Sequence, residues 1–573
     1  MELFDTAKKI HQMKYALTLP SGKKESWHQT AVRVAEYVSR AEDRDSNRLQ
    51  YMADFTKIII ERSFIPGGRI LANAGTGIKN LFNCFVLPID DSRASIYKTL
   101  SDAAEVFAWG GGIGYNFSNL REEGSPVITT GGEASGPVSF MELFDTTGEV
   151  ISQASRRGAQ MGILNIDHPD IVKFINYKNI TNVKNNRLLN ESFRNLEQRN
   201  LHLTEEEWKV LEKTFADNQL THFNISVGVT DDFMQAILSN DNWELVSRFS
   251  GEPVNTVIAR KLLDEISLNA WYNGDPGLYF IDNANEVSIA PYLGSLDATN
   301  PCGEVPLLPY EPCCLGSINL FNFVEDDYID LKYLEEVVKF AVRFLDNVQT
   351  LNETPVYEIN EVAKQTRRLG LGVMGFADVL AEMNIPYDSD DARAVAKIFG
   401  QTIQRAGWEA SIELAIERGA FPAFRKPMIN WSLLERLGIE HAPLRNVAVT
   451  SIAPTGTIAL LADVNSGIEP FFAKKYIRNI THGVGNIAKD SVVQEAGSNV
   501  KTSHEIHWED HILMQAEWQK WTDNAVSKTI NMDESVTPEE ITDAYVLAWE
   551  SKCKGITIYR NNSKLFQILN HEQ

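Results

Sequence analysis

The sequence predicts an α/β protein with a helical N-terminal region, and three patterns carry that prediction. Short apolar runs of strand length alternate with longer helical repeats from residue 64 to residue 560. The connections between these runs are long enough to favour parallel neighbours, which need a crossover of about a dozen residues or more. Before them, residues 1–63 read as helix, with Trp27, Val32, Val34, Ala35 and Val38 recurring near helical spacing. A barrel is one arrangement that satisfies such an alternation.

Taken in order, Phe64-Ile65-Pro66-Gly67-Gly68-Arg69 reads as a turn feeding Ile70-Leu71-Ala72, and Leu81 to Leu87 as a short buried strand that contains Cys84. Ser92 to Phe107 reads as a helix. Gly110 to Phe117 is a glycine-rich loop leading into another strand, and glycine there, Gly112 among the four, lets backbone approach a ligand or a second strand closely. A polar turn over Thr129 to Gly136 and a helix over Val138 to Ser152 precede Arg156-Arg157-Gly158-Ala159-Gln160-Met161. Paired arginines before a glycine suit a loop that meets phosphate or a base. The composition turns to Asn, Glu, Gln, Lys and Arg over about 179–220, an insertion with a helical piece from Glu205 to Phe215. Phe223 to Val227 resumes a strand, helices follow at 230–239 and 255–271, and Leu331–Leu351 and Asp390–Arg418 are the longest helical patterns. Asn446 to Ser451 reads as a strand that runs into Ala453-Pro454-Thr455-Gly456-Thr457-Ile458 and then a helix. A strand, a Thr-Gly-Thr loop and a helix N-terminus together offer hydroxyls and backbone N–H groups to an anion.

Composition narrows the function. Of 573 residues, 43% are hydrophobic, enough for a large core. No uncharged apolar run is long enough to span a membrane and the N-terminus lacks a secretion signal, so a cytoplasmic protein with no membrane partner is expected. A net charge of −23 argues against a nucleic-acid partner. Five cysteines without a CxxC pair, and histidines without HExxH, argue against a disulfide framework and a structural zinc site.

Three of the five cysteines fall in one stretch, Asn300-Pro301-Cys302-Gly303-Glu304 with Pro312-Cys313-Cys314 after it. Asn300 and Glu304 flank Cys302 at i−2 and i+2, which on an extended loop share one face. An amide and a carboxylate so placed can hold vicinal hydroxyls, and the carboxylate can move a proton. Cysteine itself can serve as nucleophile, metal ligand, redox partner or radical.

Asn300-Pro301-Cys302-Gly303-Glu304, Pro309-Tyr310-Glu311, Leu315-Gly316-Ser317-Ile318-Asn319-Leu320, Asn83-Cys84-Phe85-Val86, Arg156-Arg157-Gly158-Ala159, His168-Pro169-Asp170 and Pro454-Thr455-Gly456-Thr457 resemble, in order and spacing, the catalytic subunit of ribonucleotide reductase. The resemblance runs from about Phe64 to Arg560. It implies a ten-stranded α/β barrel around a central finger loop and reduction of a ribonucleoside di- or triphosphate to the 2′-deoxyribonucleotide. Cys302 is then the thiyl site that takes the ribose 3′ hydrogen, Glu304 the base at the 3′ hydroxyl, and Asn300 the holder of the 2′,3′ diol. Cys84 and Cys313 are the dithiol that becomes a disulfide. Asn83, Gly112, Pro454, Thr455, Gly456, Thr457 and Ile458 line the substrate, with the Thr-Gly-Thr loop on the phosphates. Asp91, Ser92, Arg156 and Arg157 are the contacts of a dNTP specificity effector, at a site that lies in a homodimer interface. Cys314 is structural.

Lys554-Gly555-Ile556-Thr557-Ile558-Tyr559-Arg560 carries one tyrosine where members fed by a metal-containing subunit typically carry two, and this wording resembles the adenosylcobalamin-dependent class II. Three departures accompany it. Asn83 stands where a serine often precedes the first redox cysteine. No cysteine follows Cys553 in the 561–573 tail, so a thioredoxin-like protein, a small dithiol or a tail absent from this chain is expected to re-reduce the pair. The 1–63 region is too short for an ATP-cone. Two alternatives stay open: a class I-type large subunit that needs a radical-generating partner, and a retired nucleotide-binding regulator. The intact Asn300, Cys302, Glu304, Cys84 and Cys313 set speaks against the latter.

Overall fold

A computed structural model describes residues 3–153, 156–178, 204, 207, 220, 222–479, 491–495, 500–561, 563 and 569–571. Most of the 179–220 insertion, with its expected helix, and most of the C-terminal tail lie outside the described residues.

The N-terminal region is helical, as its periodicity predicts: α1 (Asp5–Lys14), α2 (Trp27–Val38) and α3 (Asp45–Ile60). Ser26 caps α2 in a reciprocal capping box with Gln29, and α2 buries Trp27, Ala31, Val34, Ala35 and Val38. Buried ion pairs tie this region to the rest. Glu42, just after α2, binds Arg343 at 2.7 Å and Arg418 at 2.6 Å, from the two long helices described below.

The centre is one mixed ten-stranded sheet. Its strands are β1 (Phe64–Pro66), β2 (Cys84–Val86), β3 (Gly112–Asn116), β4 (Gln160–Asn165), β5 (Phe223–Val229) and β6 (Gly277–Phe280), then, beyond a separate hairpin of β7 (Ala298–Thr299) and β8 (Pro306–Leu307), β9 (Pro312–Asn319), β10 (Leu369–Met374), β11 (Thr529–Met532) and β12 (Gly555–Arg560). β2 to β6 form one all-parallel block. β9 with β10, and β11 with β12, are parallel pairs. The blocks meet antiparallel at β2–β9 and β6–β12. Parallel neighbours therefore dominate, but the two antiparallel junctions were not in the sequence expectation. Residues 446–451, expected as a strand, form none: Thr450 makes one parallel bridge to Leu371 of β10, and Ile452 one to Val526, just before β11.

Helices α4 (Arg93–Ala108), α5 (Gly136–Val150), α6 (Leu331–Leu351) and α7 (Asp390–Arg418) fall where the sequence predicts them, within two residues at each end. Two expectations are corrected. Phe64–Pro66 is a strand, not a turn, because Phe64 and Ile65 are buried beside β9 in an antiparallel ladder. Residues 253–258 pair with Asn242–Val246 as a hairpin, and the following helix begins only at Ala259. The alternating Val254, Thr256 and Ile258 there suit a strand better than a helix.

Candidate active site

The β7–β8 hairpin carries Cys302 at its tip. Thr299 pairs with Pro306, and the Gly303 N–H donates to the Asn300 carbonyl at 3.0 Å to close the turn. Gly303 sits at φ +78°, a left-handed conformation that costs glycine little. The Asn300 side chain fixes the turn as well, its Oδ1 accepting from the Val305 N–H at 3.0 Å. Cys302 is exposed, whereas Asn300 and Glu304 are buried. The sequence expectation of an extended loop with three side chains on one face is corrected here. The chain folds back at Gly303, and Asn300 and Glu304 meet beneath the tip because it turns.

The hairpin is gripped from several strands. A Cβ on Gly114 of β3 would lie 1.7 Å from the Thr299 carbonyl oxygen, and one on Gly112 would lie 3.0 Å from Pro301 Cγ. Asn224 of β5 donates to the Pro301 carbonyl at 2.8 Å. Across from them, Ser451 Oγ and the Ala525 N–H each donate to the Glu304 carbonyl at 2.8 Å. Gly112 thus serves the hairpin, as close approach of a second backbone element, and it also joins Asn83 through its N–H to the Asn83 carbonyl at 2.8 Å.

Beneath the tip, Cys84 of β2 and Cys313 of β9 are directly opposed in an antiparallel ladder. Opposed residues of such a ladder have Cα atoms about 4.5–5.5 Å apart, inside the range a disulfide spans. Asn300 Nδ2 donates to Cys84 Sγ at 3.2 Å, and Glu304 Oε1 lies 4.0 Å from the same sulfur. Burial pushes the Glu304 carboxyl up to about 7, opposed by the hydrogen bond from Asn300. Among the described residues its Oε2 has no hydrogen-bond partner. Burial likewise holds the Cys84 and Cys313 thiols well above their ordinary range, so both are protonated at neutral pH. Cys314 points the other way, its thiol on the Leu345 carbonyl of α6 at 3.5 Å, which fits a structural role.

The Pro454 to Ile458 loop begins three residues past Ser451 and opens the short helix α8 (Gly456–Ala462). Thr455 is buried at φ +54°, strained for a β-branched residue, and its Oγ accepts from the Gly467 N–H at 2.7 Å. Asp91 pairs with Arg121 at 2.7 Å, and Ser92 caps α4 by accepting from the Ser95 N–H. Arg156–Arg157 is not a loop but one strand of a small hairpin with Ser152–Gln153. Its side chains lie outside what the structure describes. His168 is buried, its Nε2 on the Leu120 carbonyl at 2.8 Å, and is a structural element of its motif.

Several contributors escape sequence reasoning. Ser451, Ala525 and Asn224 act on the hairpin through single contacts from distant segments, and no local signal marks them. Arg368 and Glu311 form a buried ion pair at 3.0 Å next to Cys313, and Lys554 reaches the Asp523 and Asn524 carbonyls at 2.7 and 2.5 Å. Burial pushes Lys554 down to about 7. Among the described residues no group of three or more His, Cys, Asp or Glu could hold a metal ion.

Comparison with known proteins agrees with this geometry. The model of the ribonucleotide reductase barrel domain matches residues 82–559, and that of the ribonucleotide reductase all-alpha domain matches residues 2–79. The vitamin B12-dependent ribonucleoside-diphosphate reductase of Mycobacterium tuberculosis is 40% identical over 572 residues, covering 94% of this chain and 75% of its own length. The protein of the same description from Thermoplasma acidophilum is 39% identical over 566 residues, covering 93% and 68%. The vitamin B12-dependent ribonucleotide reductase of Streptomyces clavuligerus is 29% identical over 564 residues, covering 85% and 57%.

Proposed function

The chain belongs to the ribonucleotide reductase family and reduces ribonucleotides to 2′-deoxyribonucleotides, and from that premise we propose a class II enzyme that works on ribonucleoside diphosphates through a thiyl radical at Cys302. The diphosphate and the cobalamin follow the names of its relatives. One observation carries the residue roles: an opposed Cys84–Cys313 pair with a buried carboxyl 4.0 Å from its sulfur, beneath a turn tipped by an exposed cysteine.

Adenosylcobalamin, when bound, supplies an organic radical able to take a hydrogen atom from a thiol. The residues fit such a donor. Cys302 is exposed where the other four thiols are buried, and a Cβ on its neighbour Gly303 would meet nothing within 4 Å among the described residues. Cys302 as a thiyl takes the 3′ hydrogen of the ribose, and Glu304, with its carboxyl near 7, takes the 3′-hydroxyl proton. The 2′ hydroxyl leaves as water on protonation by a thiol, and Cys84 and Cys313 supply two electrons as they join in a disulfide. Cys302 then returns its hydrogen atom to C3′. Thr455, Gly456 and Thr457 hold the phosphates, and Pro454, Ile458 and Asn83 complete the substrate's surroundings.

We read the ten strands as a closed barrel around the hairpin. The parallel bridges on both sides of residues 446–452 support closure, as do the grips on the hairpin from β3, β5, Ser451 and Ala525. A homodimer with a dNTP effector belongs to the same reading, with Asp91 and Ser92 at the start of α4 and Arg156–Arg157 beyond α5. The effector site is supported by the packing of α4 on α5 and on the Ser152–Gln153 strand, which brings these segments into one region. A dithiol, small or thioredoxin-like, re-reduces the pair.

The test is an assay of the purified protein with adenosylcobalamin, dithiothreitol and each ribonucleoside di- and triphosphate. Deoxyribonucleoside diphosphates are the expected product. Cys302→Ser is expected to abolish product while nucleotide affinity stays within about threefold, roughly 0.7 kcal/mol. Turnover by that variant overturns the radical assignment, and activity only after adding a metal-containing subunit overturns the class.

A further inference from the structure

We propose that re-reduction of the Cys84–Cys313 disulfide has a fixed polarity: the incoming thiolate attacks Cys84, and Cys313 leaves as a thiolate stabilised by Arg368. The inference rests on the redox-pair reading above and adds to it which sulfur meets the reductant and which residue enforces the choice.

The two sulfurs have different neighbours. Cys314 pairs with Leu369 in the parallel β9–β10 ladder, so the preceding rung sets Cys313 beside Arg368. Arg368 and Gly370 share a strand face, two residues apart. A Cβ on Gly370 would lie 3.0 Å from Cys313 Sγ, so this is the face turned to the sulfur. Arg368 is buried, pairs with Glu311 at 3.0 Å and donates through Nη1 to Asn524 Oδ1 at 2.8 Å. Its Nε is the atom that meets Glu311, so the guanidinium stands next to Cys313 as one half of an ion pair. Among the described residues, none of the groups that act most strongly on Cys84 is a cation. Cys84 faces the Glu304 carboxyl and a single neutral donor, the Asn300 amide. Cys313 is wholly buried, whereas Cys84 keeps 5% exposure.

Exchange requires the attacking thiolate to reach one sulfur while the other departs, and a thiol whose anion is stabilised leaves faster. Access favours Cys84 as the target, and the guanidinium favours Cys313 as the leaving group. One thiolate of the dithiol bonds to Cys84 Sγ, the Cys84–Cys313 bond breaks, and Cys313 takes up a proton. The second thiol of the reductant, deprotonated, then attacks its own partner sulfur in the mixed disulfide. This frees Cys84, which is protonated, and leaves the reductant as a disulfide. Two electrons and two protons pass to the protein. Glu311 counterbalances Arg368 and tethers it to the hairpin base, its Oε2 accepting from the Leu308 N–H at 3.0 Å.

The polarity is read by trapping. The full chain carrying Cys302→Ser, oxidised to the Cys84–Cys313 disulfide, is mixed with glutathione and quenched with N-ethylmaleimide, and the adducts are mapped by peptide mass. Glutathione on Cys84 with maleimide on Cys313 is expected, at least tenfold over the reverse pattern. The reverse pattern or an even mixture overturns the inference. In a second arm, Glu311→Gln with Arg368→Met removes both buried charges together, and disulfide reduction by dithiothreitol is expected to slow about tenfold, with part of the rate restored by Arg368→Lys. An unchanged rate in the charge-free variant overturns the role of Arg368. A chain that forms no Cys84–Cys313 disulfide on oxidation overturns the redox-pair reading itself, a result distinct from disulfide formation with the wrong polarity.

Discussion

Replacing Gly114 by alanine tests whether the proposed radical role of Cys302 depends on the grip of the sheet on the hairpin. The new Cβ would stand 1.7 Å from the Thr299 carbonyl oxygen, where real Cβ contacts essentially never fall below 3.0 Å. The obstacle is backbone, with the Thr299 carbonyl carbon at 2.7 Å and the Asn300 nitrogen at 3.5 Å behind it, so no side chain can swing away. Either β3 or the hairpin must move by about 1.3 Å. Overpacking of this kind costs about 1–3 kcal/mol, which a core this size survives. The catalytic effect is larger, since about 1 Å of misplacement costs on the order of 10²-fold in rate. Initial rates of deoxynucleotide formation, nucleotide affinity and a thermal melt, measured together, separate the two effects. A folded variant that binds nucleotide and loses about 100-fold or more in kcat is expected. Gly77→Ala, with nothing within 4 Å of its Cβ and an ordinary backbone, is the matched control and should be neutral. A Gly114→Ala enzyme within threefold of the parent rate refutes the argument that hairpin position is set by this contact.

With the Glu304 carboxyl at about 7, the rate should rise with pH through that value as the base ionises, and Glu304→Gln should give a low, flat profile. The same shift predicts stability in the opposite sense. The folded pKa is raised above its unfolded value of 4.5, so the contribution of the protonated form is complete below that pH and is lost as pH rises through 7. Glu304→Gln should therefore gain on the order of 3 kcal/mol relative to the parent between pH 4 and pH 8, read by denaturant unfolding; a difference that does not change with pH contradicts it. Glu42→Ala should cost about 3–5 kcal/mol, because Arg343 and Arg418 lose a buried partner. Its unfolding midpoint should fall while kcat per folded molecule holds, and an unaltered midpoint would show that this ion cluster does not fasten the helical region.

The parts of the fold legible in the sequence are those whose stability is local. Leu331–Leu351 and Asp390–Arg418 are read to the residue because a long amphipathic repeat and an N-cap, Asp330 or Ser389, determine them without help from the rest of the chain. β10 is not read at all. In Leu369-Gly370-Leu371-Gly372-Val373-Met374 the glycines lower strand propensity, and their reason lies in other segments. A Cβ on Gly372 would meet the Ser451 carbonyl oxygen at 2.3 Å, and one on Gly370 would meet Leu315 Cδ2 at 2.5 Å. Residues 446–451 are read as strand yet make only an isolated bridge to β10, with the Leu369 and Leu371 N–H groups donating to the Ala448 and Val449 carbonyls at 3.0 and 2.8 Å. At the site, residue types announce Cys302, Glu304 and Asn300, but the turn that brings the last two together depends on Gly303 and on contacts from Asn224, Ser451 and Ala525, which lie about 75 to 225 positions away in the chain.

The Cys313-Cys314 doublet shows what register adds to residue type. Both are cysteines, both are fully buried, and composition cannot separate them. On a strand, adjacent side chains point to opposite faces, so only one member of the doublet can face Cys84. The β2–β9 register pairs Cys84 with Cys313, and Cys314 therefore falls on the side of α6, against the Leu345 carbonyl. A one-residue slip of β9 would exchange the two, presenting Cys314 to the hairpin and removing Cys313 from Arg368. β9 is protected from that slip because it is paired on both edges, with β1 and β2 on one and β10 on the other. The Cys84–Cys313 pair, its cationic neighbour and the hairpin base are consequently set by one register, so a lesion that shifts β9 should remove all three together rather than weaken any one of them.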